Sequence, residues 1–396
     1  MKILIVTSTA LPNIGGVEVC IYNIMRCLLA KGYQVKIFTF RKHWIYTQQL
    51  GGELISYALG TLFLVNLHSY LGRWYLERQL VSIQRKENFD LWHVFFAYPF
   101  GFGVSRIIKK LKIPAVLSCR GEDIQKCSEI GYGVRLNPKI DKLIKESVKS
   151  YSLLTSLTQS VTDEYRNLGI SDDKIIEIPN GVDLKLFERK TDYVQIRKKF
   201  GIPLGKKLIL SVGRNHPKKG FKYLVQALVL LRKVHGDDFI CLIVGKGTSE
   251  LQKLAQRIGV GDFVMTKEAI KPDLVGRREM FFPSMDLIAL YKSSDLFVLP
   301  SLIETFGIVN LEAMAAGLPI ITTDAPGCRD VVTDGYNGLI VKPGKPDELA
   351  EKIAIVLKNR ELACRLARNA FYTSKQYDWD IITKKYLDTY KKILRE

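Results

Sequence analysis

Apolar residues in this chain form short, almost uninterrupted runs, and longer segments with apolar positions at helical spacing lie between them. Such runs are typical of parallel strands covered on both faces, and the periodic segments are typical of helices. In the N-terminal half the pattern predicts strands at Lys2 to Thr7, Gln34 to Phe40, Leu91 to Phe95 and Ala115 to Ser118. A helix is predicted from about Val17 to Ala30, and Gly32 provides its stop signal. This alternation predicts a doubly wound parallel sheet.

The same pattern begins again in the C-terminal half. Strands are predicted at Lys207 to Gly213, Phe239 to Val244, Asp295 to Leu299 and Pro319 to Thr322. Between the halves, residues 183–206 are charged and lack a buried strand. We therefore predict an N-terminal Rossmann-like domain over 1–185, a linker over 186–206, a second such domain over 207–376, and an amphipathic helix over 377–396 that packs back on the first domain.

Length and composition agree with two α/β domains in a reducing compartment. The chain has 396 residues, of which 47% are hydrophobic and 25% charged, and this balance excludes disordered and low-complexity proteins. Seven cysteines without a C-x-x-C pair favour neither a disulfide framework nor a zinc site. The N-terminal apolar run is too short for a signal peptide, and the longest apolar stretch, Leu54 to Leu67, is shorter than the roughly twenty residues of a bilayer span. A cytoplasmic protein is expected.

The net charge of +19 predicts an anionic partner. Four lysines at helical spacing are candidates for contact with anionic lipid, namely Lys139, Lys142, Lys145 and Lys149. The apolar segment from Leu54 to Tyr75 can form an interfacial face, an acceptor groove or part of the core. Nucleic acid is not expected as a partner, because the basic residues are not interleaved with aromatic residues in a known module. The alternatives are docking to a membrane and a basic protein whose charge only steers an anionic substrate.

The most informative segment is Pro300 to Pro319. It predicts a loop at the carboxyl end of a buried strand, followed by a helix that begins near Gly307, and ligands bind at such places in open α/β sheets. The unpaired N–H groups of a helix start attract a diphosphate. Glu304 and Glu312 are eight residues apart, which places both on one helix face, where they can accept hydrogen bonds from hydroxyl groups at either end of an extended ligand. Two solvated glutamates are the alternative.

The segment Glu304 to Glu312 resembles the E-x7-E motif of the retaining glycosyltransferases of family 4. The likeness continues along almost the whole chain, in Gly15-Gly16, Ile178 to Asp183, Val212-Gly213-Arg214, Lys219-Gly220, Val244 to Gly247, Asp334 to Gly338 and Tyr377-Asp378-Trp379. The resemblance implies the GT-B fold, in which two Rossmann-like domains face each other across a cleft.

The resemblance also implies roles for individual residues. Arg214 and Lys219 would bind the donor diphosphate and Glu304 the donor sugar, and these three are the predicted catalytic residues. Further donor contacts are implied for Gly15, Gly16, Phe306, Gly307, Ile308, Val309 and Glu312, the last of them to the ribose. Two fixed cations beside a helix start stabilise a leaving diphosphate, so neither a metal nor another cofactor is expected. A solvated basic turn is the alternative for Arg214 and Lys219.

The segment Cys119 to Asp123 departs from the family pattern. Many relatives carry a His-Gly-x-Asp segment here, and Arg120 stands in place of the histidine. A guanidinium stays charged and cannot act as a general base at neutral pH, although it can bind a hydroxyl or a phosphate. Acceptor-side candidates are therefore Arg120, Glu122, Asp123 and His93. A structural cluster of Arg120 with the carboxylates, and a buried, hydrogen-bonded His93, are the alternatives.

The expected protein is thus a retaining, metal-independent glycosyltransferase that uses a nucleotide sugar. The acceptor would be a hydroxyl group of a glycan or of a lipid-linked compound, and the enzyme would work in the cytoplasm, either free or at the inner face of a membrane. A sugar-nucleotide epimerase or a phosphorylase with the same two-domain plan is a second hypothesis. A basic anion-binding or nucleic-acid-binding protein is the non-enzymatic alternative.

Overall fold

The computed structural model describes residues 1–9, 15–39, 57–58, 69–275 and 279–395. Contacts divide the chain into two compact units: unit 1 comprises Met1–Asn180, Gly276–Glu279 and Trp379–Glu396, and unit 2 comprises Gly181–Val275 and Met280–Asp378. The predicted linker, 186–206, therefore lies in unit 2, and the final helix lies in unit 1. Most of the apolar segment Leu54 to Tyr75 lies outside the described residues.

Unit 1 contains a seven-stranded sheet in the order β3-β2-β1-β4-β5-β6-β7. Its strands are β1 (Lys2–Val6), β2 (Gln34–Thr39), β3 (Tyr57–Ala58), β4 (Leu91–Phe95), β5 (Ala115–Ser118), β6 (Leu153–Ser156) and β7 (Ile175–Glu177). All neighbouring strands are parallel. The almost complete burial of β1, β4 and β5 agrees with the uninterrupted apolar runs of their sequences.

Helices cover both faces of this sheet. They are α1 (Gly16–Ala30), α2 (Tyr70–Glu87), α3 (Phe102–Leu111), α4 (Pro138–Ser147), α5 (Gln159–Asn167) and, from the end of the chain, α14 (Trp379–Arg395). One core contains buried residues of α2, α3 and α4. The core on the opposite face contains buried residues of α1 and α14, so the last helix is part of the hydrophobic core of unit 1. No helix among the described residues is long and apolar enough to cross a bilayer.

Unit 2 contains a six-stranded parallel sheet in the order β10-β9-β8-β13-β14-β15. Its strands are β8 (Lys207–Val212), β9 (Phe239–Val244), β10 (Val264–Lys267), β13 (Leu296–Leu299), β14 (Ile320–Thr323) and β15 (Leu339–Val341). β11 (Asp273–Val275) and β12 (Glu279–Phe281) form a separate two-stranded sheet. The strand order reverses between β8 and β13, and the loops after these two strands therefore begin at a topological switch point, where open α/β sheets bind ligands.

The helices of unit 2 alternate with the strands of its six-stranded sheet from β8 to β14. They are α6 (Leu184–Phe187), α7 (Tyr193–Lys199), α8 (Phe221–His235), α9 (Ser249–Arg257), α10 (Met285–Lys292), α11 (Ile308–Ala315), α12 (Pro346–Lys358) and α13 (Arg360–Ser374). Helix α7 lies inside the predicted linker. Helix α11 is the helix predicted to start near Gly307, and α8 follows β8 on the other side of the switch point.

Candidate functional site

The central segment of the site is the turn between β13 and α11. Gly307 adopts a left-handed conformation with φ of 68° and provides no capping side chain for α11. A Cβ at this position would lie 3.3 Å from Asn310 Nδ2 and 3.4 Å from a Leu299 methyl group. Conformation and space therefore both favour glycine. The result is a helix start whose backbone N–H groups are not blocked by a capping side chain, as an anion-binding turn requires.

Glu304 lies in this turn as a buried carboxylate between two ammonium groups. Lys219 Nζ is 2.5 Å from Oε1, Lys218 Nζ is 3.3 Å from Oε2, and Ser301 Oγ donates a hydrogen bond to Oε1 at 3.2 Å. Burial alone would raise the pKa of Glu304, but the charges and hydrogen bonds of the two lysines outweigh it and hold the pKa at about 2. Glu304 is therefore ionised at neutral pH. The sequence predicted a role in the site for Lys219 but none for Lys218.

Close backbone contacts fix the position of both lysines and of Glu304. The lysines lie in a 3-10 turn, Pro217–Lys219, whose Lys218 carbonyl accepts a hydrogen bond from Leu302 N at 2.7 Å. A Cβ on Gly220 would lie 2.0 Å from the Pro300 oxygen. On the other side of the loop, a Cβ on Gly327 would lie 2.1 Å from the Glu304 oxygen. These two glycines have positive φ, and they are part of the site although no sequence motif predicted a role for them there.

Arg214 follows β8 and is exposed. Its loop packs against the turn after β9, because Asn215 N donates to the Lys246 carbonyl at 2.9 Å and a Cβ on Gly245 would lie 1.9 Å from the Gly213 oxygen. The loops after β8 and β9 are therefore held together by their backbones. This arrangement fixes the base of the Arg214 side chain and leaves its guanidinium in solvent.

Glu312 lies inside α11 and has different neighbours from Glu304. It is buried, and Tyr291 of α10 donates a hydrogen bond to Oε2 at 2.8 Å. Burial raises the pKa of Glu312 to about 7, and the Tyr291 hydrogen bond and the Lys219 charge oppose that rise. Tyr291 is a site residue that no motif indicated, because it lies on another helix. The other predicted donor residues, Phe306, Ile308 and Val309, flank Gly307, and Phe306 is buried against Tyr377.

Gly15 and Gly16 lie at the start of α1 in unit 1. A Cβ on Gly15 would lie 2.8 Å from Oε2 of Glu18, and Thr9 Oγ1 donates a hydrogen bond to the other carboxylate oxygen. A carboxylate in the first turn of a helix occupies the electropositive helix end that would attract a phosphate. Glu18 therefore competes with the diphosphate contact expected of Gly15 and Gly16.

The loop after β5 carries three of the four acceptor-side candidates. The Asp123 carboxylate accepts hydrogen bonds from the backbone N–H groups of Ala97 at 2.7 Å, Arg120 at 3.0 Å and Gly121 at 2.9 Å. Burial raises the pKa of Asp123, and these N–H groups oppose that shift. Asp123 thus organises the loop. Glu122 is exposed, whereas Arg120 is buried, with its guanidinium bonded to Asn180 and Tyr386.

His93, the fourth candidate, lies within β4 and is completely buried. Its Nδ1 is 2.7 Å from Tyr390 Oη, and its Nε2 is 2.7 Å from Ser118 Oγ. Burial, assisted by the charge of Arg120, holds the pKa of His93 well below its ordinary range, so the ring is neutral. Both ring nitrogens therefore have hydrogen-bond partners inside the core. This environment corresponds to the alternative of a buried, hydrogen-bonded histidine, and we leave His93 out of the proposed site.

Among the described residues, no group of three or more His, Cys, Asp or Glu side chains is arranged so that it could hold a metal ion. The charged groups around Glu304 are cationic instead. The site in unit 2 therefore combines two carboxylates, two lysines that contact one of them, and a helix start without a capping side chain.

Two family models match this chain. The model described as Glycosyltransferase Family 4 matches residues 14–186, and the model described as Glycosyl transferases group 1 matches residues 192–372. Together they span most of the chain, and the second match contains Arg214, Lys219, Glu304 and Glu312.

Relatives with assigned functions are also similar. The chain is 24% identical to an N-acetyl-alpha-D-glucosaminyl L-malate synthase from Bacillus anthracis, over 98% of this chain and 97% of the relative. It is 30% identical to the N,N'-diacetylbacillosaminyl-diphospho-undecaprenol alpha-1,3-N-acetylgalactosaminyltransferase of Campylobacter jejuni, over 65% of this chain and 64% of that enzyme.

Among solved structures, the Anabaena protein HepE in complex with UDP-glucose superimposes with a TM-score of 0.79. The identity is 20%, and the alignment covers 99% of this chain and 100% of HepE. At this identity the likeness shows the fold alone. The predicted two-domain Rossmann-like GT-B fold is confirmed.

Proposed function

This chain belongs to the glycosyltransferases, and from that premise we propose that it transfers a sugar from a nucleoside diphosphate sugar to a hydroxyl acceptor with retention of the anomeric configuration. The observation that carries the proposal is the position of Glu304: a buried, ionised carboxylate beside the glycine-led start of α11 and in contact with two lysines. A nucleotide sugar offers the complementary groups, since it joins two polyhydroxylated rings through an anionic bridge.

The diphosphate is proposed to bind at the N-terminus of α11, near Lys219 and Arg214. Backbone N–H groups at a helix start attract anions, and the two side chains add positive charge where the leaving diphosphate gains negative charge. These cations supply the stabilisation that a divalent metal would otherwise provide. We therefore propose a reaction that needs neither a metal nor another cofactor.

The carboxylates are proposed to bind hydroxyl groups on either side of the diphosphate. Ionised Glu304 accepts hydrogen bonds from hydroxyls of the donor sugar, and Glu312 accepts them from the ribose. Glu304 is already held by Lys218, Lys219 and Ser301 before the donor arrives, so little reorganisation is needed on binding.

For the chemical step we propose displacement on one face of the sugar. The bond from the anomeric carbon to the diphosphate oxygen breaks while a bond to the acceptor oxygen forms on the same side. The acceptor proton passes to the departing diphosphate oxygen, so atoms and charge balance without a protein nucleophile. This route agrees with Glu304, whose two lysine contacts favour a binding role over a nucleophilic role.

An anionic acceptor is supported by the names of two relatives. One makes a glycoside of L-malate, and the other extends a sugar on diphospho-undecaprenol. Both acceptors carry negative charge, and this chain has a net charge of +19. We propose that its acceptor likewise carries a phosphate or carboxylate group, with a diphosphate-linked prenol glycan as the leading candidate.

A lipid-linked acceptor requires access to a membrane surface, and unit 1 carries exposed side chains of the kinds that contact lipid. Lys139, Lys142 and Lys145 are exposed on α4, and Lys149 is exposed in the 3-10 turn beyond it rather than on the predicted helix. On α2, which contributes to the same core as α4, three large side chains are exposed: Tyr70 by 74%, Leu71 by 69% and Trp74 by 48%. Exposed lysines together with exposed aromatic and aliphatic side chains on the same unit suit contact with an anionic bilayer.

Sedimentation with phosphatidylglycerol vesicles tests the membrane contact. We expect binding at low salt that weakens as salt is raised, because each surface lysine contributes about 1 kcal/mol through screened attraction. Trp74→Ala should weaken binding at both salt concentrations, and Tyr193→Ala, at an exposed position in unit 2, is the control. Absence of binding at low salt would exclude this contact.

The enzyme activity is tested in two steps. Thermal shift with a panel of nucleoside diphosphate sugars that includes UDP-glucose should identify one donor that stabilises the protein, because a ligand of the native state raises the melting temperature. Product analysis with L-malate and with a short-chain prenol diphosphate sugar then follows the transfer. An epimerised nucleotide sugar formed without acceptor would favour the epimerase hypothesis, and no donor response at all would contradict both.

A further inference from the structure

The C-terminal helix contacts the sheet of unit 1 through two buried hydroxyl groups. Tyr386 and Tyr390 lie four residues apart on α14, and neither side chain is exposed. Tyr390 is bonded to His93, and His93 to Ser118, whose hydroxyl is bonded to Thr155. This hydrogen-bond chain crosses three neighbouring strands beneath the helix. Tyr386, one turn earlier, accepts a hydrogen bond from Arg120 Nη2 at 2.7 Å and is also hydrogen-bonded to Thr155, the last residue of that chain.

Arg120 thereby joins three separate segments of unit 1. Its Nη1 donates to Asn180 Oδ1 at 3.0 Å, its Nη2 donates to Tyr386, and its guanidinium lies 5.1 Å from the centre of the Phe95 ring. Asn180 is the last residue before the chain leaves unit 1, and α14 begins where the chain returns to it. A buried guanidinium is costly unless its N–H groups are bonded, so these partners determine its position.

The backbone of Arg120 is held by another residue, Asp123. Asp123 accepts hydrogen bonds from the N–H groups of Arg120 and Gly121, so the loop after β5 is fixed by a carboxylate on its backbone and by α14 on its side chain. Four of the five residues from Cys119 to Asp123 are buried, and Glu122 is the exposed one. The conformation of this loop sets the direction in which Glu122 points.

We propose that Tyr386 is a positioning residue for Arg120, and that through Arg120 the C-terminal helix fixes the acceptor-side loop that presents Glu122. The inference rests on the proposed function and on the acceptor-side role that the sequence predicts for this loop. The contact itself stands independently of that role. Arg120 thus has a structural consequence: its side chain reaches α14, and the end of the chain becomes a support of the loop.

Two matched substitutions test the proposal. Tyr386→Phe and Tyr390→Phe each remove one hydroxyl from a buried tyrosine on the same helix face, one turn apart, and both keep the ring packing. Hydrogen exchange of the backbone N–H groups of residues 119–125 is the first measurement and needs no substrate. We expect Tyr386→Phe to accelerate exchange in this loop by about tenfold and Tyr390→Phe by less than about threefold, with similar effects of both on α14.

Steady-state kinetics provide the second measurement. With UDP-glucose, or whichever panel donor the wild-type protein uses, and the prenol diphosphate sugar, we expect Tyr386→Phe to raise the acceptor KM by about tenfold and to leave the donor KM within about twofold. Arg120→Lys should act in the same direction, because an ammonium cannot bond Asn180 and Tyr386 with a planar fork.

The outcomes distinguish the positioning contact of Tyr386 from the acceptor-side role of the loop. Equal acceleration of loop exchange by both tyrosine variants, or none by Tyr386→Phe, would overturn the positioning role whatever the enzyme does. Faster loop exchange with an unchanged acceptor KM would overturn the acceptor-side part. A wild-type protein that transfers no sugar, combined with the expected exchange pattern, would contradict the proposed function and leave the positioning contact in place.

Discussion

Glu304 and Glu312 stand at the two ends of one eight-residue interval, and their surroundings are opposite. Both carboxylates are buried. Glu304, in the loop before α11, contacts Lys218 and Lys219, which hold its pKa at about 2. Glu312, inside α11, has the Tyr291 hydroxyl as its partner and a pKa raised by burial to about 7. The same spacing motif thus contains one carboxylate that is ionised throughout the neutral range and one carboxyl group whose pKa lies near neutrality.

The difference shows that the neighbours, and not the motif, determine the charge of each carboxylate. Burial disfavours the ionised form of both residues, and two ammonium groups in direct contact outweigh that effect only for Glu304. A neutral hydroxyl donor lowers the pKa less than a contacting cation does. We therefore expect the two ends of the interval to respond differently to substitution and to pH.

The largest effect is expected from Glu304→Gln. The amide cannot pair with Lys218 and Lys219 and is a weaker acceptor for sugar hydroxyls, so kcat/KM for transfer should fall by about 10³-fold. Glu250→Gln is the matched control, because Glu250 is an exposed glutamate of unit 2 that also pairs with a lysine, Lys253 at 3.0 Å. Transfer assays measure kcat/KM of both variants. Near-normal turnover of Glu304→Gln would show that Glu304 is not part of the site.

Much of the fold could be predicted because burial on both faces of a parallel sheet leaves an uninterrupted apolar run. Strands β1, β4, β5, β8, β9 and β13 were each predicted within about one residue of their observed bounds. The division of the chain was less predictable. Residues 186–206 are charged and were expected to be a linker, yet they lie in unit 2 and contain helix α7, since short amphipathic helices also carry many charges.

The candidate site was predictable only where a motif is local in sequence. Glu304, Glu312 and Gly307 share one loop and helix, whereas Tyr291 approaches Glu312 from another helix, and no periodicity indicates such a contact. Backbone approaches such as that of Gly327 to Glu304 also depend on distant loops. His93 was predicted as an acceptor-side candidate, but it lies in the middle of β4, and its hydrogen-bond partners are residues 118 and 390.

The second-largest effect is expected when a lysine that contacts Glu304 is replaced, which tests whether these cations are needed for activity. Lys219→Met removes the closer ammonium group and should lower kcat/KM by about 50-fold, since hydrogen bonds to charged groups contribute about 1.5–3 kcal/mol. Lys222→Met is the control, because Lys222 is exposed and lies over the Tyr223 ring. Donor titration and turnover should both be impaired in the first variant. Equal losses in the two variants would mean that general charge, and not the contact with Glu304, is responsible.

A smaller effect is expected at the other end of the interval. Glu312→Gln should raise the donor KM by about tenfold and change kcat by less than about threefold, because a ribose contact contributes similarly in the ground state and the transition state. Wild-type donor affinity should increase as pH rises through about 7, since ionised Glu312 accepts hydrogen bonds with both oxygens. Steady-state kinetics measure the effect of the substitution, and calorimetric titration between pH 6 and 8.5 measures the pH dependence of donor affinity. A pH dependence that survives in Glu312→Gln would assign the titration to another group.

The smallest effect is expected from Tyr291→Phe. This substitution separates the effect of burial on the pKa of Glu312 from the effect of the Tyr291 hydrogen bond. Tyr291→Phe removes a donor that favours the ionised carboxylate, so the pKa of Glu312 should rise further. A hydrogen bond of about 1 kcal/mol corresponds to a rise of roughly 0.5–1 pH unit in the midpoint of donor affinity. Above that midpoint the variant should bind the donor almost as well as the wild type, since Glu312 is then ionised in both proteins. A midpoint that stays in place or moves to lower pH would show that Tyr291 does not stabilise the charged form.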